Sequence, residues 1–298
     1  MASAVAVQAP ARTGGIHAPD EIHVITPRPQ GVFAAIHEAW ERRALIWWFG
    51  LKFAERLWAN TRLGWWWLPL RPLLSVVPRA IVFGGILKAP SNGIPYLLFY
   101  VVGLSAWDMF YRGWYIGTRC LQMSSRYLKR MYLPRLIPLI ASAASGIVEY
   151  LLYTGFGVFV VLYYVIFKHQ FPLKLGLNTL LLPASILLIL GMAWSLSSWT
   201  SPFGVRGRDA RWTVRAILHF WNLLTPVIYP LSAVPAEFKT IAEINPMTAP
   251  MEMIREAVFD KGDITTTSLA STIGTIAIVG SLGLVFFTRS ETKALDDA

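Results

Sequence analysis

The sequence predicts an all-α integral membrane protein with six transmembrane helices. Three observations predict it. The 298 residues are 55% hydrophobic and only 15% charged, with a mean hydropathy of +0.48, whereas soluble domains carry about a quarter charged residues. Apolar runs of about 20 residues recur, the length a helix needs to cross a bilayer. Those runs are continuous rather than alternating, which argues against a barrel.

The elements follow in order. Residues 1–31 are rich in Ala, Pro and Gly without periodicity and read as a disordered cytoplasmic tail. They contain no early apolar core, so no cleavable signal peptide is expected. In residues 32–63, Phe33, Ile36, Trp40, Ala44, Trp47, Trp48, Leu51 and Leu57 recur at helical spacing between charged positions. This predicts an amphipathic interface helix, broken at Gly50, with its Trp residues in the headgroup zone. The six-span unit occupies 64–290. Its spans are expected at Trp65–Leu87, Ile94–Gly117, within Leu136–Phe167, Leu177–Trp199, Trp212–Pro230 and Ile264–Phe287. The third run exceeds one crossing, so it tilts or begins as a surface segment. A short cytoplasmic tail, 291–298, ends the chain.

Charge sets the orientation. Loop 119–135 carries Arg119, Arg126, Lys129, Arg130 and Arg135 with no acid, and loop 201–215 carries Arg206, Arg208, Arg211 and Arg215 with Asp209. If both termini are cytoplasmic, eighteen Lys and Arg fall on that side and six on the other. The bias predicts a multi-pass protein with both termini cytoplasmic. The net charge of +10 is thereby explained by topology, and no nucleic-acid partner is implied.

Residues 231–262 are too polar to span and too apolar for a plain loop. Two short helices fit, Ala236–Ile244 and Thr248–Phe259, joined at Asn245-Pro246, a capping residue followed by a first-turn proline. They lie at the external interface or dip into it, as a surface element or a gate.

Arg71, Arg79, Asp108, Arg112 and Glu149 fall inside apolar runs, where charge is costly and faces protein or water. Asp108 and Arg112 are four apart and positioned to pair, and Arg71 lies at a similar depth. The cluster either locks spans one and two together or lines a hydrophilic path. Tyr96, Phe99, Tyr100, Trp107, Phe110, Tyr111 and Trp114 form one helical stripe that Trp221 and Tyr229 extend. Such a stripe packs a core, or offers flat faces on which sugar rings slide.

No phosphate loop, no nucleophile elbow and no paired catalytic carboxylates appear. The five His residues scatter, the single Cys120 excludes an internal disulfide, and no metal-ligand spacing is present. No catalytic residue is proposed, and energy for active transport has to come from ions or a partner.

Four motifs in order resemble the permeases of type-2 ABC exporters. Gly64, Trp67 and Pro72 match the run opening the first span. The basic segment ending in Tyr132-Leu133-Pro134-Arg135 is similar to the coupling helix. Arg208, Asp209 and Arg211 match the segment after span four, and Asn245, Pro246 and Arg255 the segment before the last span. The resemblance is nearest to the polysaccharide-export branch, which handles O-antigen, teichoic acid and cell-wall galactan. It implies a homodimer in a bacterial plasma membrane, paired with two copies of a separate ATPase that holds ATP and Mg. This chain itself would bind no cofactor. The substrate implied is a polymer on a polyprenyl diphosphate carrier, whose diphosphate the channel Arg residues contact. Arg126, Tyr127, Lys129 and Arg130 would couple to the ATPase, with Ser125–Leu133 in its surface cleft. The channel would be lined by Arg71, Arg79, Tyr100, Trp107, Asp108, Tyr111, Arg112, Trp221 and Tyr229, and gated externally by Asn245, Pro246 and Arg255. Other readings are an ABC exporter of drugs or small lipids, a membrane-embedded glycan transferase, and an ion-coupled transporter. The last usually shows inverted repeats, and none is evident here.

Overall fold

The structure, a computed structural model, describes residues 32–56, 59, 62, 64–128, 133–174 and 176–296, with the backbone alone for 206 and 291–296. The expected disordered tail 1–31, Leu57, Lys129 and Arg130 lie outside the described residues. Every regular element among the described residues is helical. They are α1 (Val32–Glu41), α2 (Arg43–Glu55), α3 (Trp67–Arg79), α4 (Tyr96–Leu128), α5 (Leu136–Ala141), α6 (Ala143–Lys168), α7 (Leu181–Arg206), α8 (Asp209–Leu224), α9 (Ala236–Ile244), α10 (Thr248–Phe259) and α11 (Thr266–Asp296). A 3-10 turn precedes α3, and a π-helical stretch, Ala80–Ile86, prolongs it. Four helical stretches are long and apolar enough to cross a membrane: Gly64–Ile86, Leu136–Lys168, Leu177–Val205 and Thr266–Ser290.

Helix α4 is the axis of the bundle. It packs along α6 on one side and α7 on the other, and α7 packs along α11. Its buried face supplies Tyr100, Trp107, Met109, Phe110 and Trp114 to a core completed by Tyr153, Ile189, Met192 and Met251. The helices approach closely because small residues stand at the crossings. A Cβ on Gly146 would lie 2.6 Å from the Met109 carbonyl oxygen, and one on Gly204 would collide with the Thr118 carbonyl oxygen. Gly274, by contrast, has open space around it. Gly204→Ala is therefore expected to lower thermal stability by about 1–3 kcal/mol, the usual cost of overpacking. Gly274→Ala should be neutral or mildly stabilising. Thermal unfolding of the detergent-purified protein, read by size-exclusion, checks both; equal melting of the two variants would refute the close crossing.

Several expected boundaries move, each for an identifiable reason. The interface segment breaks at Arg42 and not at Gly50. Gly50 is buried within α2, where a Cβ would sit 3.0 Å from the Ala144 Cβ, so this glycine serves packing. The buried face of α2 is Phe49, Gly50, Phe53 and Ala54, while Trp40, Trp47, Trp65 and Trp66 stay exposed. The expected loop 119–135 is helical through Leu128, and its first ten residues are the last three turns of α4. The expected loop 201–215 shrinks to Gly207-Arg208, since α7 runs to Arg206 and α8 starts at Asp209. Charged helix ends reach past an apolar core without unwinding, which hydropathy does not register. The third run starts as the separate short helix α5 before a turn at Ser142. The segment Trp212–Pro230 is not one helix: α8 ends at Leu224 and Thr225–Pro230 is irregular. Helix α11 continues into the expected tail. The helices α9 and α10 fall on the expected residues.

Candidate functional site

The site grows out of one property of α4. Between Gly103 and Leu121, the residues that are not buried are Asp108, Tyr111, Arg112, Tyr115 and Arg119. All five are polar, and their spacing of three and four places them on one stripe. The exposed faces of the neighbouring helices are mainly apolar, with Leu73, Leu74, Ile81 and Val82 on α3 and its extension and Trp212, Ile217, Phe220 and Leu223 on α8, although Arg79 and His219 are exposed there too. The polar strip of α4 thus runs along an open groove between α3 and α8.

At its inner end the groove carries an ion cluster. Arg71 on α3 donates to both carboxylate oxygens of Glu149 on α6, at 3.1 and 2.9 Å. Arg112 donates to the same carboxylate at 3.4 Å. Glu149 is buried, whereas the Arg71 and Arg112 side chains keep 21% and 22% of their surface exposed. The expected pair Asp108–Arg112 is replaced: Arg112 turns to Glu149, an intramembrane charge that the sequence reveals but does not assign to the site. Asp108 is partly buried and lies within electrostatic reach of Glu149, Tyr153, Arg112 and Arg79. The Ser75 and Tyr153 hydroxyls share a hydrogen bond of 2.8 Å beside the cluster. Arg79 is exposed and its guanidinium folds back onto the Ser75 carbonyl at 3.1 Å.

Further along, α8 closes one wall. Arg215 donates to the Tyr115 hydroxyl at 2.9 Å and lies 5.3 Å from the Tyr115 ring centroid. Tyr111 stacks on Tyr115 and meets His219 edge-on.

The remaining expected channel residues sit elsewhere. Tyr100 and Trp107 are 2% and 3% exposed and belong to the core. The aromatic stripe therefore packs the bundle; Tyr111 alone of these three stands at the seam with the groove. Trp221 packs edge-on against Phe110 and Trp114, and its indole donates to Asn245 Oδ1 at 2.9 Å. The Tyr229 hydroxyl bonds the Leu223 carbonyl at 3.3 Å.

The expected gate residues form a clamp. Asn245 Nδ2 donates to Thr225 Oγ1 at 3.0 Å, while its Oδ1 accepts the Met247 N–H at 3.1 Å at the start of α10. Pro246 offers its carbonyl to Thr272 Oγ1 on α11, 2.8 Å away. Arg255 is fully buried. It pairs with Glu252 at 2.6 Å, donates to the Val227 carbonyl at 3.1 Å, and lies 4.1 Å above the Phe99 ring centroid. Glu252 in turn accepts the Leu231 N–H at 3.3 Å and the Asp263 N–H at 3.1 Å. These contacts tie the irregular stretch after α8 to α10 and to the approach to α11.

Of the expected coupling residues, Arg126 is exposed in the last turn of α4. Tyr127 instead meets Trp48 and Phe49 edge-on, at 5.3 and 5.6 Å, and so anchors α2. Among the described residues, no three His, Cys, Asp or Glu side chains converge as metal ligands. No protein-family model matches the chain, and no curated protein matches it.

Proposed function

We propose that the chain is the membrane subunit of an ATP-driven exporter that moves a lipid-linked polysaccharide to the outer face of a bacterial plasma membrane. The observation that carries this reading is the uncovered polar stripe of α4. Charged side chains do not face hydrocarbon, so Asp108, Arg112 and Arg119 call for water and a second protein surface. A second copy of the chain laid over the groove converts it into a channel with mainly apolar walls and a polar floor. That combination suits an amphiphile whose headgroup follows the polar strip while its lipid stays outside.

The reading takes α4 and α8 with Thr225–Pro230 as two further spans, giving six with both termini inside. In its support, α8 and the stretch that follows it run antiparallel to α4, with contacts at positions 115 and 96 of α4, about 28 Å apart along that helix. Arg215 meets Tyr115 near one end, and the Tyr96 hydroxyl reaches the Ile228 carbonyl at 3.0 Å near the other. Force enters from a separate ATPase at the end of the bundle that bears Arg126, and two copies of each subunit make the exporter.

Depletion of the protein in cells is the test. The expected result is a lipid-linked glycan that accumulates on the cytoplasmic face, together with recovery of a phosphate-loop ATPase on the affinity-purified chain. Unchanged glycan at the surface, or glycan transfer by the purified chain alone, would refute the reading.

A further inference from the structure

At the end of the bundle opposite Arg126, two apolar stretches meet: Leu136–Lys168 closes there and Leu177–Val205 opens. A cavity of about 610 Å³ lies at their junction, lined by Phe171, Leu173, Lys174, Leu177, Asn178 and Asp260. Its depth in a bilayer follows from the side chains around it. Ile166, Phe167, Phe171, Leu177 and Leu180 are exposed and apolar, a belt suited to hydrocarbon. Lys174, Asn178 and Asp260 are exposed and polar. Hydrocarbon thus ends at this pocket and lipid headgroups begin.

The pocket carries one cation and one anion that do not meet. Among the described residues, neither Lys174 nor Asp260 forms an ion pair. Other contacts hold each in place. The Lys174 backbone N–H donates to the Val258 carbonyl at 3.0 Å. Asp260 ends α10 in the left-handed region, with φ 57°, and its Oδ1 accepts the Asn178 amide at 2.9 Å. The same amide donates to Glu256 Oε1 at 2.7 Å, and Glu256 Oε2 accepts the Gly262 N–H at 2.7 Å. Lys261, next in sequence, turns away to the Asn92 carbonyl at 2.5 Å. Asp260 Oδ2 and the Asn178 carbonyl oxygen remain as acceptors among the described residues, and the Lys174 ammonium offers three donors.

Opposite charges held apart on one surface match a ligand that carries both. At a bilayer boundary that ligand is a zwitterionic headgroup. Its phosphate suits Lys174. A primary ammonium can donate to Asp260 and to the Asn178 oxygen. A choline cannot donate a hydrogen bond and is recognised by a cage of aromatic faces, of which this pocket offers Phe171 alone. An anionic glycerol headgroup leaves Asp260 unanswered and brings like charge toward it. Phe171, Leu173 and Leu177 continue the pocket with apolar surface for acyl chains.

We propose that this pocket binds a phosphatidylethanolamine, with its phosphate on Lys174 and its ammonium on Asp260, so that the lipid bridges the α6–α7 connection to the end of α10. The site lies outside the groove and needs only that this end of the bundle meet a bilayer. It goes beyond the exporter reading and stands whatever the groove carries.

The delipidated full chain, in detergent, is titrated with short-chain phosphatidylethanolamine, phosphatidylcholine and phosphatidylglycerol, and binding is read by native mass spectrometry. Phosphatidylethanolamine should bind about tenfold tighter than the other two, the worth of one charge-assisted hydrogen bond. Asp260→Asn keeps an acceptor for Asn178 and a residue type at ease in the left-handed region. It should weaken phosphatidylethanolamine about tenfold, leave phosphatidylcholine unchanged and so erase the preference. Lys174→Gln should weaken both lipids about tenfold, since both carry the phosphate, and preserve their ratio. Lys168→Gln, at the end of α6, should change nothing. Melting of the lipid-free variants at the wild-type temperature establishes that they are folded. Equal affinity of the wild type for all three lipids overturns the site and leaves an ordinary annular surface. A preference for phosphatidylglycerol overturns it in favour of a basic patch, and a preference for phosphatidylethanolamine that survives Asp260→Asn overturns the assigned contact.

Discussion

Glu252→Ala is expected to destabilise the protein by about 3–5 kcal/mol, the cost of stranding one partner of a buried ion pair. Arg255 is 0% exposed and keeps its charge, so the substitution leaves a cation in the core with only the Val227 and Tyr229 carbonyls and the Phe99 ring around it. Removing both charges often restores stability in other buried pairs. Here it should not, because Glu252 also accepts the Leu231 and Asp263 backbone N–H groups. Glu252→Leu with Arg255→Leu would leave the buried Leu231 N–H and the Val227 carbonyl unsatisfied, each costing about 1–3 kcal/mol, and the half-buried Asp263 N–H without its acceptor at a smaller cost. Glu252→Gln keeps an acceptor and should be milder than either. Thermal melting of the purified variants checks the order. A double Leu variant as stable as wild type would mean that the clamp is only an ion pair and does not hold the irregular stretch.

Glu149→Leu carries the second large effect, a loss of about 3 kcal/mol, the lower end for breaking a buried pair. The lower end applies because Arg71 and Arg112 remain 21% and 22% exposed and can draw on water. Glu149→Gln should lose less, since an amide oxygen still accepts one hydrogen bond. Adding Arg112→Leu to Glu149→Leu should recover part of the loss by removing one stranded charge. Yield in the membrane fraction and melting temperature are the readouts. Wild-type behaviour of Glu149→Leu would show that the cluster does not join α3, α4 and α6.

How legible this was in the sequence depends on the range of the interaction. Local signals worked. The Asn245-Pro246 junction located the break between α9 and α10, although Met247 and not Asn245 precedes α10, and Pro246 lies ahead of its first turn, which Pro250 occupies instead. The four apolar stretches announced themselves by length. Signals that need a partner did not work. Glu149 is 78 residues from Arg71 and 37 from Arg112, so spacing suggested Asp108, the nearest acid on the same helix, instead. Helical periodicity found an aromatic stripe on α4 but not the side it faces. The polar stripe of Asp108, Arg112, Tyr115 and Arg119 lies roughly a third of a turn away, and only the packing of α6 and α7 decides which of the two is covered. Hydropathy also mistook the charged ends of α4 and α7 for loops, since a helix that leaves the membrane stays helical when its backbone bonds are internal.

The central claim is that the stripe on α4 meets water inside the membrane. Cysteine accessibility tests it most directly, and Cys120, fully buried, can be replaced by Ala to give a clean background. Single cysteines are placed from 106 to 119 and exposed, in intact membranes, to a membrane-impermeant methanethiosulfonate reagent. The account predicts modification of Asp108→Cys, Tyr111→Cys, Arg112→Cys, Tyr115→Cys and Arg119→Cys, with Ala106→Cys, Met109→Cys, Phe110→Cys, Gly113→Cys and Ile116→Cys protected. Protection of all five stripe positions, or modification without helical periodicity, would contradict it.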